Sequence, residues 1–181
     1  MSWHPKSAEY LKTLVSHTDD VLAMTTLNDG SGSQKLVTSS KDRTVRIWDI
    51  ETGDVMNTIP MYNQKIFSLV QLPGKNGLLA ISSGNMIKFY NPVNSQFEKA
   101  LQGHSKTIYT MCSLPNGNIV SAGEDRYIKL WNVKTGNMIR SFIGHEDFVR
   151  CLKLNSQNKL VSASDDKTVR VWDLKTGEEI D

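Results

Sequence analysis

Large aromatic residues of this chain fall on one lattice: Trp3, Trp48, Tyr90, Trp131 and Trp172 are separated by 45, 42, 41 and 41 residues. All four tryptophans of the 181-residue sequence lie on it, with Tyr90 standing in for a fifth. Fourteen residues after each of the first four members come His17, Tyr62, His104 and His145. A fixed period near 41 residues means that one supersecondary unit is copied along the chain, each copy stable only when stacked on its neighbours. The length allows a sizeable core, but the unit of structure is the repeat and not a conventional domain.

Aligned on the lattice, the repeats share one internal order. In the third, the runs IYTMCSL, NIVSAG, YIKLWNV and NMIRSF have the length and the β-branched and aromatic content of strands. Pro115-Asn116-Gly117 stands between the first two runs and Thr135-Gly136 between the last two, and ETG at 51–53 and KTG at 175–177 repeat the latter turn. Glycine supplies the positive φ that such turns require. The spacing therefore predicts four short antiparallel strands per unit, with no helical periodicity in competition. Repeat one spans 16–59, a degenerate repeat two 60–102, repeat three 103–143 and repeat four 144–181, the last with a truncated final strand. Residues 1–15 read as the end of a preceding unit or as a closing strand.

The dipeptides SH or GH at 16–17, 103–104 and 144–145, with WD, WN and WD beginning at 48, 131 and 172, closely resemble the WD-repeat β-propeller family. The likeness extends over essentially the whole chain. It implies an all-β fold of about four blades, each a four-stranded antiparallel sheet, set radially around a channel that the innermost strands line. It also implies a structural tetrad of His, Ser or Thr, Asp and Trp in each blade. Counting back ten and six residues from each tryptophan gives the sets His17, Thr38, Asp42, Trp48; His104, Ser121, Asp125, Trp131; and His145, Ser162, Asp166, Trp172.

Each set contains the residue types of a nucleophilic triad, which needs an exposed hydroxyl beside a base and an oxyanion site. Three copies, each accompanied by an indole, fit a structural hydrogen-bond chain far better, because such a chain satisfies every buried polar group in turn. Repeat two departs from the pattern throughout, with Tyr62, Ala80, Gly84 and Tyr90 at the four places. Complete loss leaves no polar partner stranded, so repeat two still reads as a blade, softer than its neighbours.

Four blades are few for this family, whose propellers mostly have seven or eight. Trp3 keeps the lattice spacing to His17, so residues 3–12 and 172–181 compete for equivalent fourth-strand places, and the N-terminal strand is one candidate to complete repeat four by displacing the tail GEEID. Three arrangements stay open: a segment of a longer propeller, a half-propeller that pairs with a second copy as a homodimer, or an unusually small ring.

With 21 Lys and Arg against 19 Asp and Glu, the net charge is +2. No basic run marks a nucleic-acid or anionic membrane surface. The N-terminus MSWHPKSAEY lacks the apolar stretch of a signal peptide, and no segment approaches a membrane span. Cys112 and Cys151 lie in apolar β-like runs without metal-ligand spacing and read as buried free thiols of a reducing compartment. A cytoplasmic location follows, with a nuclear one left open. No metal cluster, phosphate loop or lone catalytic constellation stands out, so neither a cofactor, a metal nor an enzyme activity is expected.

Rigid stacked blades presenting variable loops suit a protein–protein interaction scaffold, the family's commonest use. Loops after the GH places and before the tetrad Asp should share one face. Blades one and two offer Thr18, Asp20, Lys41, Asn63 and Lys65 there; blade three offers Ser105, Thr107 and Glu124; blade four offers Glu146, Phe148 and Asp165. Phe148 is the candidate anchor. Asp20, Glu124, Glu146 and Asp165 outnumber Lys41 and Lys65, which disfavours a phosphopeptide and predicts a neutral or basic partner segment. Alternatives are a substrate-recognition or ubiquitin-pathway adaptor, the non-catalytic WD-repeat domain of a larger enzyme, or a structural subunit. The WD-x-Arg signal by which some relatives dock on cullin ligases is absent, since Glu51, Lys134 and Lys175 follow the three WD or WN pairs.

Overall fold

Alternation of β-branched and small residues builds fifteen strands in the computed structural model, which describes residues 12–180 apart from 31, 33, 63, 75 and 76. The expectations resting on Trp3, Asn63 and Asp181 lie outside the described residues. The first sheet is β1 (Val21–Leu27), β2 (Lys35–Ser40), β3 (Thr44–Asp49) and β4 (Val55–Pro60); the second is β5 (Leu69–Gln71), β6 (Leu79–Ser83), β7 (Met86–Asn91) and β8 (Gln96–Gln102). The third comprises β9 (Ile108–Ser113), β10 (Ile119–Gly123), β11 (Ile128–Trp131) and β12 (Met138–Phe142), and the fourth β13 (Val149–Leu154), β14 (Leu160–Ser164) and β15 (Val169–Trp172). Every pairing is between sequence neighbours and antiparallel. No helix occurs among the described residues, so none is long and apolar enough to cross a membrane.

Beside β15 the fourth-strand place is begun by the chain's own tail. Glu179 bridges to Trp172, and the Ile180 N–H donates to the Val171 carbonyl at 2.7 Å. Among the described residues the tail is therefore not displaced by an N-terminal strand. The hairpin between β11 and β12 shows why the turn sequence repeats. Gly136 takes a φ of 79° and donates to the Asn132 carbonyl at 2.9 Å, while the Asn132 side chain accepts the Thr135 N–H. Asp49 and Asp173 act alike in the ETG and KTG turns, so the residue after each tryptophan caps the turn that follows it.

Burial falls off from the middle of each blade outward. β6 and β10 are buried at every residue, because both their faces meet neighbouring blades, whereas β8 is mostly exposed. Three apolar clusters fill the three junctions: Val37, Val45 and Ile59 with Ile66, Leu69 and Ile81; Ile87, Phe89 and Leu101 with Ile108, Met111 and Trp131; Ile128 and Phe142 with Val149, Leu152 and Trp172. The first strands pack successively, β1 on β5, β5 on β9 and β9 on β13, with no comparable packing of β13 on β1. The four sheets form an arc of a propeller and do not close.

In three blades one hydrogen-bond relay ties the strands to the loop. Trp48 Nε1 donates to Thr38 Oγ1 at 2.7 Å, Thr38 Oγ1 lies 2.7 Å from His17 Nε2, and His17 Nδ1 lies 2.7 Å from Asp42 Oδ2. Distances in the chain Trp131, Ser121, His104, Asp125 are 2.8, 2.7 and 2.8 Å, and in Trp172, Ser162, His145, Asp166 they are 2.8, 2.7 and 2.6 Å. With the imidazole proton on Nδ1, each hydroxyl accepts from the indole and donates to Nε2, leaving no polar atom unused. Ser121 and Ser162 are fully buried with both roles occupied, so neither can attack a substrate.

Burial alone would raise the three carboxyls. Hydrogen bonds outweigh it: for Asp42 from Thr44, His17 and the Thr18 N–H, for Asp125 from His104 and the Ser105 N–H, for Asp166 from Thr168, His145 and the Glu146 N–H. All three are held below the ordinary carboxylate range.

Blade two corrects the position counted from its aromatic residue. Trp48, Trp131 and Trp172 pair with Leu36, Ile119 and Leu160, twelve residues earlier, but Tyr90 pairs with Leu79, eleven residues earlier. The β6–β7 hairpin is one residue shorter, so Ile81 and not Ala80 occupies the place of Thr38, Ser121 and Ser162. A buried isoleucine fills the site of the hydroxyl. The Tyr90 hydroxyl turns to the neighbouring blade and accepts from Asn57 Nδ2 at 2.8 Å, and Tyr62 leaves the histidine place for solvent, 81 % exposed. Among the described residues the only buried side-chain nitrogen or oxygen without a partner is Arg140 Nε, in blade three, so loss of the relay strands nothing in blade two.

Replacing His104 by Ala should lower stability by about 1–3 kcal/mol by stranding Ser121 and Asp125, read as a fall of about 2–4 °C in Tm per kcal/mol. Because the folded carboxyls are more acidic than the unfolded ones, their contribution is complete above about pH 4 and is lost as the pH falls toward their folded values. Thermal melts of Asp125→Asn should therefore start lower at neutral pH and decline less than wild type on acidification below about pH 4.

Candidate functional site

Each relay carboxylate also reaches the loop before its own first strand. Asp42, Asp125 and Asp166 accept the N–H groups of Thr18, Ser105 and Glu146 at 3.2, 3.0 and 3.1 Å. A second tether recurs one strand away. The Lys41 N–H donates to the Asp20 carbonyl, Glu124 to Thr107 and Asp165 to Phe148, each at 2.9 Å. Six of the eleven expected contact residues are thus joined in pairs by backbone bonds, and three more are held by the relay carboxylates, blade by blade, on the face where β1, β9 and β13 begin. Lys65 lies exposed in the loop before β5, and Asn63 is outside the described residues.

Three of the four acidic residues expected on this face stand in ion pairs. Asp20 pairs with Lys41 at 2.6 Å, Glu124 with Lys106 at 3.7 Å and Asp165 with Arg150 at 2.6 Å. Arg126 Nη1 donates to the Glu146 carbonyl at 3.1 Å. The hydrogen bond from Lys41 lowers the Asp20 carboxyl, and that from Arg150 lowers Asp165. Lys106, Arg126 and Arg150 stand one or two residues from the loop positions first considered and supply the missing cations.

Phe148 is half-buried in an array that the sequence reading did not assemble. Its ring lies 6.1 Å from Tyr109, and Tyr109 meets Phe67 edge-on at 5.2 Å and 84°. The Arg150 guanidinium sits over Tyr109 at 4.6 Å and near Phe148 at 5.3 Å, while donating to Asp165 at 2.6 and 2.8 Å. Phe67, Tyr109 and Arg150 each stand five residues after the lattice His or Tyr, so stacking of the first strands lines them up at the channel mouth. That shared offset is the signal a repeat alignment carries. Leu22 holds the same place in blade one.

A cleft of about 350 Å³ lies between blades three and four, lined by Lys106, Glu124, Arg126, Tyr127 and Ile143. A hollow of about 1070 Å³ lies at the opposite mouth among Leu72, Met111, Leu114 and Leu154, and Cys112 borders it. Burial pushes the Cys112 thiol up. Cys151 is exposed, contrary to the expectation of two buried thiols. Among the described residues no group of three or more His, Cys, Asp or Glu side chains is placed to hold a metal ion.

The family model described as "WD domain, G-beta repeat" matches residues 8–49, 95–132 and 136–173. The chain is 26 % identical to "Autophagy-related protein 16" of Arabidopsis thaliana over 68 % of its length and 24 % of that protein. Against "Nuclear distribution protein nudF" of Aspergillus flavus the figures are 31 %, 68 % and 27 %. A match to human "WD repeat and SOCS box-containing protein 1" is 28 % identical over 49 % of this chain and 21 % of that one. The chain thus spans about a quarter of the length of these relatives. Among solved structures, the WD40 β-propeller domain of Doa1 superposes with a TM-score of 0.80 at 25 % identity, covering 93 % of this chain and 54 % of that one. RRP9 WD40 repeats give 0.79 at 23 %, covering 93 % and 52 %. With the repeat model matched over most of its length and four radial antiparallel sheets laid out as in these propellers, the chain belongs to the WD-repeat family.

Proposed function

We propose that this chain is a non-catalytic interaction scaffold that holds a partner segment on its loop face, with Phe67, Tyr109, Phe148 and Arg150 as the contact centre. The half-exposed aromatic and arginine array carries the reading. Tyrosine and arginine dominate binding energy where rigid neighbours exclude water around them, and here the relays at Asp125 and Asp166 fix the loops on both sides. WD-repeat propellers generally serve as such scaffolds. Neutralisation of Asp20, Glu124 and Asp165 in ion pairs narrows the expected neutral or basic partner to a neutral segment bearing an aromatic or apolar anchor. No residue of this chain favours the ubiquitin-pathway adaptor over other scaffolds.

Peptides selected from a random display library on the immobilised chain should lose about tenfold or more in affinity, about 1.4 kcal/mol, on Tyr109→Ala or Phe148→Ala. Leu154→Ala at the opposite mouth should leave them bound, with Tm recorded for each variant. Peptides insensitive to the first two substitutions and released by the third would place the site at the other mouth.

A further inference from the structure

The three junctions between blades repeat one interface, and the two ends of the arc carry its unmatched halves. On the side facing the preceding blade, Ile66, Ile108 and Val149 hold one lattice place and are at most 1 % exposed, while Leu69, Met111 and Leu152 hold another and are at most 6 % exposed. In blade one the same places are Val21 and Met24, 56 % and 72 % exposed. On the side facing the following blade, Val45, Ile87 and Ile128 are fully buried, and their counterpart in blade four, Val169, is 68 % exposed. These three side chains are apolar although nothing among the described residues of the arc covers them. A hollow of about 250 Å³ lined by Leu14, Val21, Leu36 and Trp48 opens on the blade-one face, where the junctions seat a neighbouring blade.

Polar details of the junction also continue past the ends. The Ser68 and Thr110 hydroxyls accept the Met111 and Leu152 N–H groups of the next blade at 3.0 and 3.2 Å. Cys151, exposed, holds that donor-facing place in blade four. From blade three, Arg140 donates to the Lys175 and Thr176 carbonyls of the blade-four turn at 2.8 and 2.5 Å. Lys12 donates to Glu51 and Thr52, the equivalent carbonyls of blade one, both at 2.7 Å. Residues 12–14 therefore occupy, relative to blade one, the fourth-strand place that residues 140–142 occupy relative to blade four. Beside β15 the described residues reach the fourth-strand place at Glu179 and Ile180.

We propose that the two end faces pair with each other between copies of this chain. The first blade of one copy seats on the fourth blade of a second, bringing Val21 and Met24 against the Val169 face and Leu14 of the partner subunit into the fourth strand beside β15. The arc has the curvature of a propeller about twice its size, since it superposes at a TM-score of 0.80 on 54 % of the Doa1 chain. Two copies related by a two-fold axis along the channel make two identical head-to-tail junctions and close the ring, so that no open filament results.

Sedimentation equilibrium of the full chain should give twice the 20.3 kDa of one copy. Val21→Glu with Met24→Glu, and separately Val169→Glu, should each halve that mass while keeping the far-ultraviolet circular dichroism of the fold, because the altered side chains are exposed. An equimolar mixture of the two variants retains one intact junction and should regain the dimer. Hydrogen exchange on the wild-type chain gives a readout independent of any variant's folding, with protection around residues 12–26 and 169–180 falling on dilution. A folded wild-type monomer at high micromolar concentration would overturn the proposal. So would a dimer indifferent to both substitutions, a mixture that stays monomeric, or a concentration-dependent ladder of larger polymers.

Discussion

The bond from each indole N–H to a buried hydroxyl is the point on which blade and loop both depend. A four-stranded sheet of this size has two apolar faces and is stable only when both are covered, so its middle strands must run through the core. Thr38, Ser121 and Ser162 place a hydroxyl there, where an unpaired oxygen is costly. The tryptophan satisfies it from one side and the histidine from the other, while the indole of Trp131 or Trp172 fills the junction with the preceding blade. The carboxylate at the far end of the relay holds the loop before the blade's own first strand by its backbone. One string of hydrogen bonds thus converts packing between blades into placement of the loop-face residues proposed above as the contact surface.

Much of this was legible because the relay is a matter of counting. The indole, hydroxyl and carboxylate places keep fixed separations as long as the hairpin between the second and third strands keeps its length. In blade two that hairpin is a residue shorter, so the same count lands on Ala80 when the equivalent residue is Ile81. No marker in the sequence betrays the deletion, because the relay residues that would have marked it are gone. The exposure of Tyr62 was hidden for the same reason: a residue on the histidine place reads as inward until the partners that would draw it inward are known to be missing.

Charge and aromatic placement were less legible, and the cause is that they arise between repeats. Read within its own repeat, Tyr109 of β9 or Arg150 of β13 is a single residue of an inner strand without a neighbour to mark it. Once the first strands stack, position five of each blade lies beside position five of the next, and a stripe of Phe67, Tyr109 and Arg150 results, with Phe148 folded against it. Counting acids on loops alone left out Arg150 and Lys106, whose side chains return to Asp165 and Glu124 from neighbouring positions. Any surface property of a repeat protein that depends on two blades at once needs the stacking geometry before it can be read.

The loop face is consequently uneven in stiffness. Around blades three and four, Ser105, Thr107, Glu146 and Phe148 are held by relay carboxylates and by backbone bonds across the strand pair. Blade two has neither relay nor carboxylate, and the Gln64 side chain crowds Gly84 where the other blades carry their relay aspartate. A partner gains most from surface that loses little freedom on binding, since each side chain that must be ordered subtracts from affinity. The array between Tyr109, Phe148 and Arg150 sits on the stiff side and borders Phe67, the first residue toward the softer one. On the proposed reading, binding energy should therefore concentrate on blades three and four, where relay carboxylates and backbone bonds hold the loops.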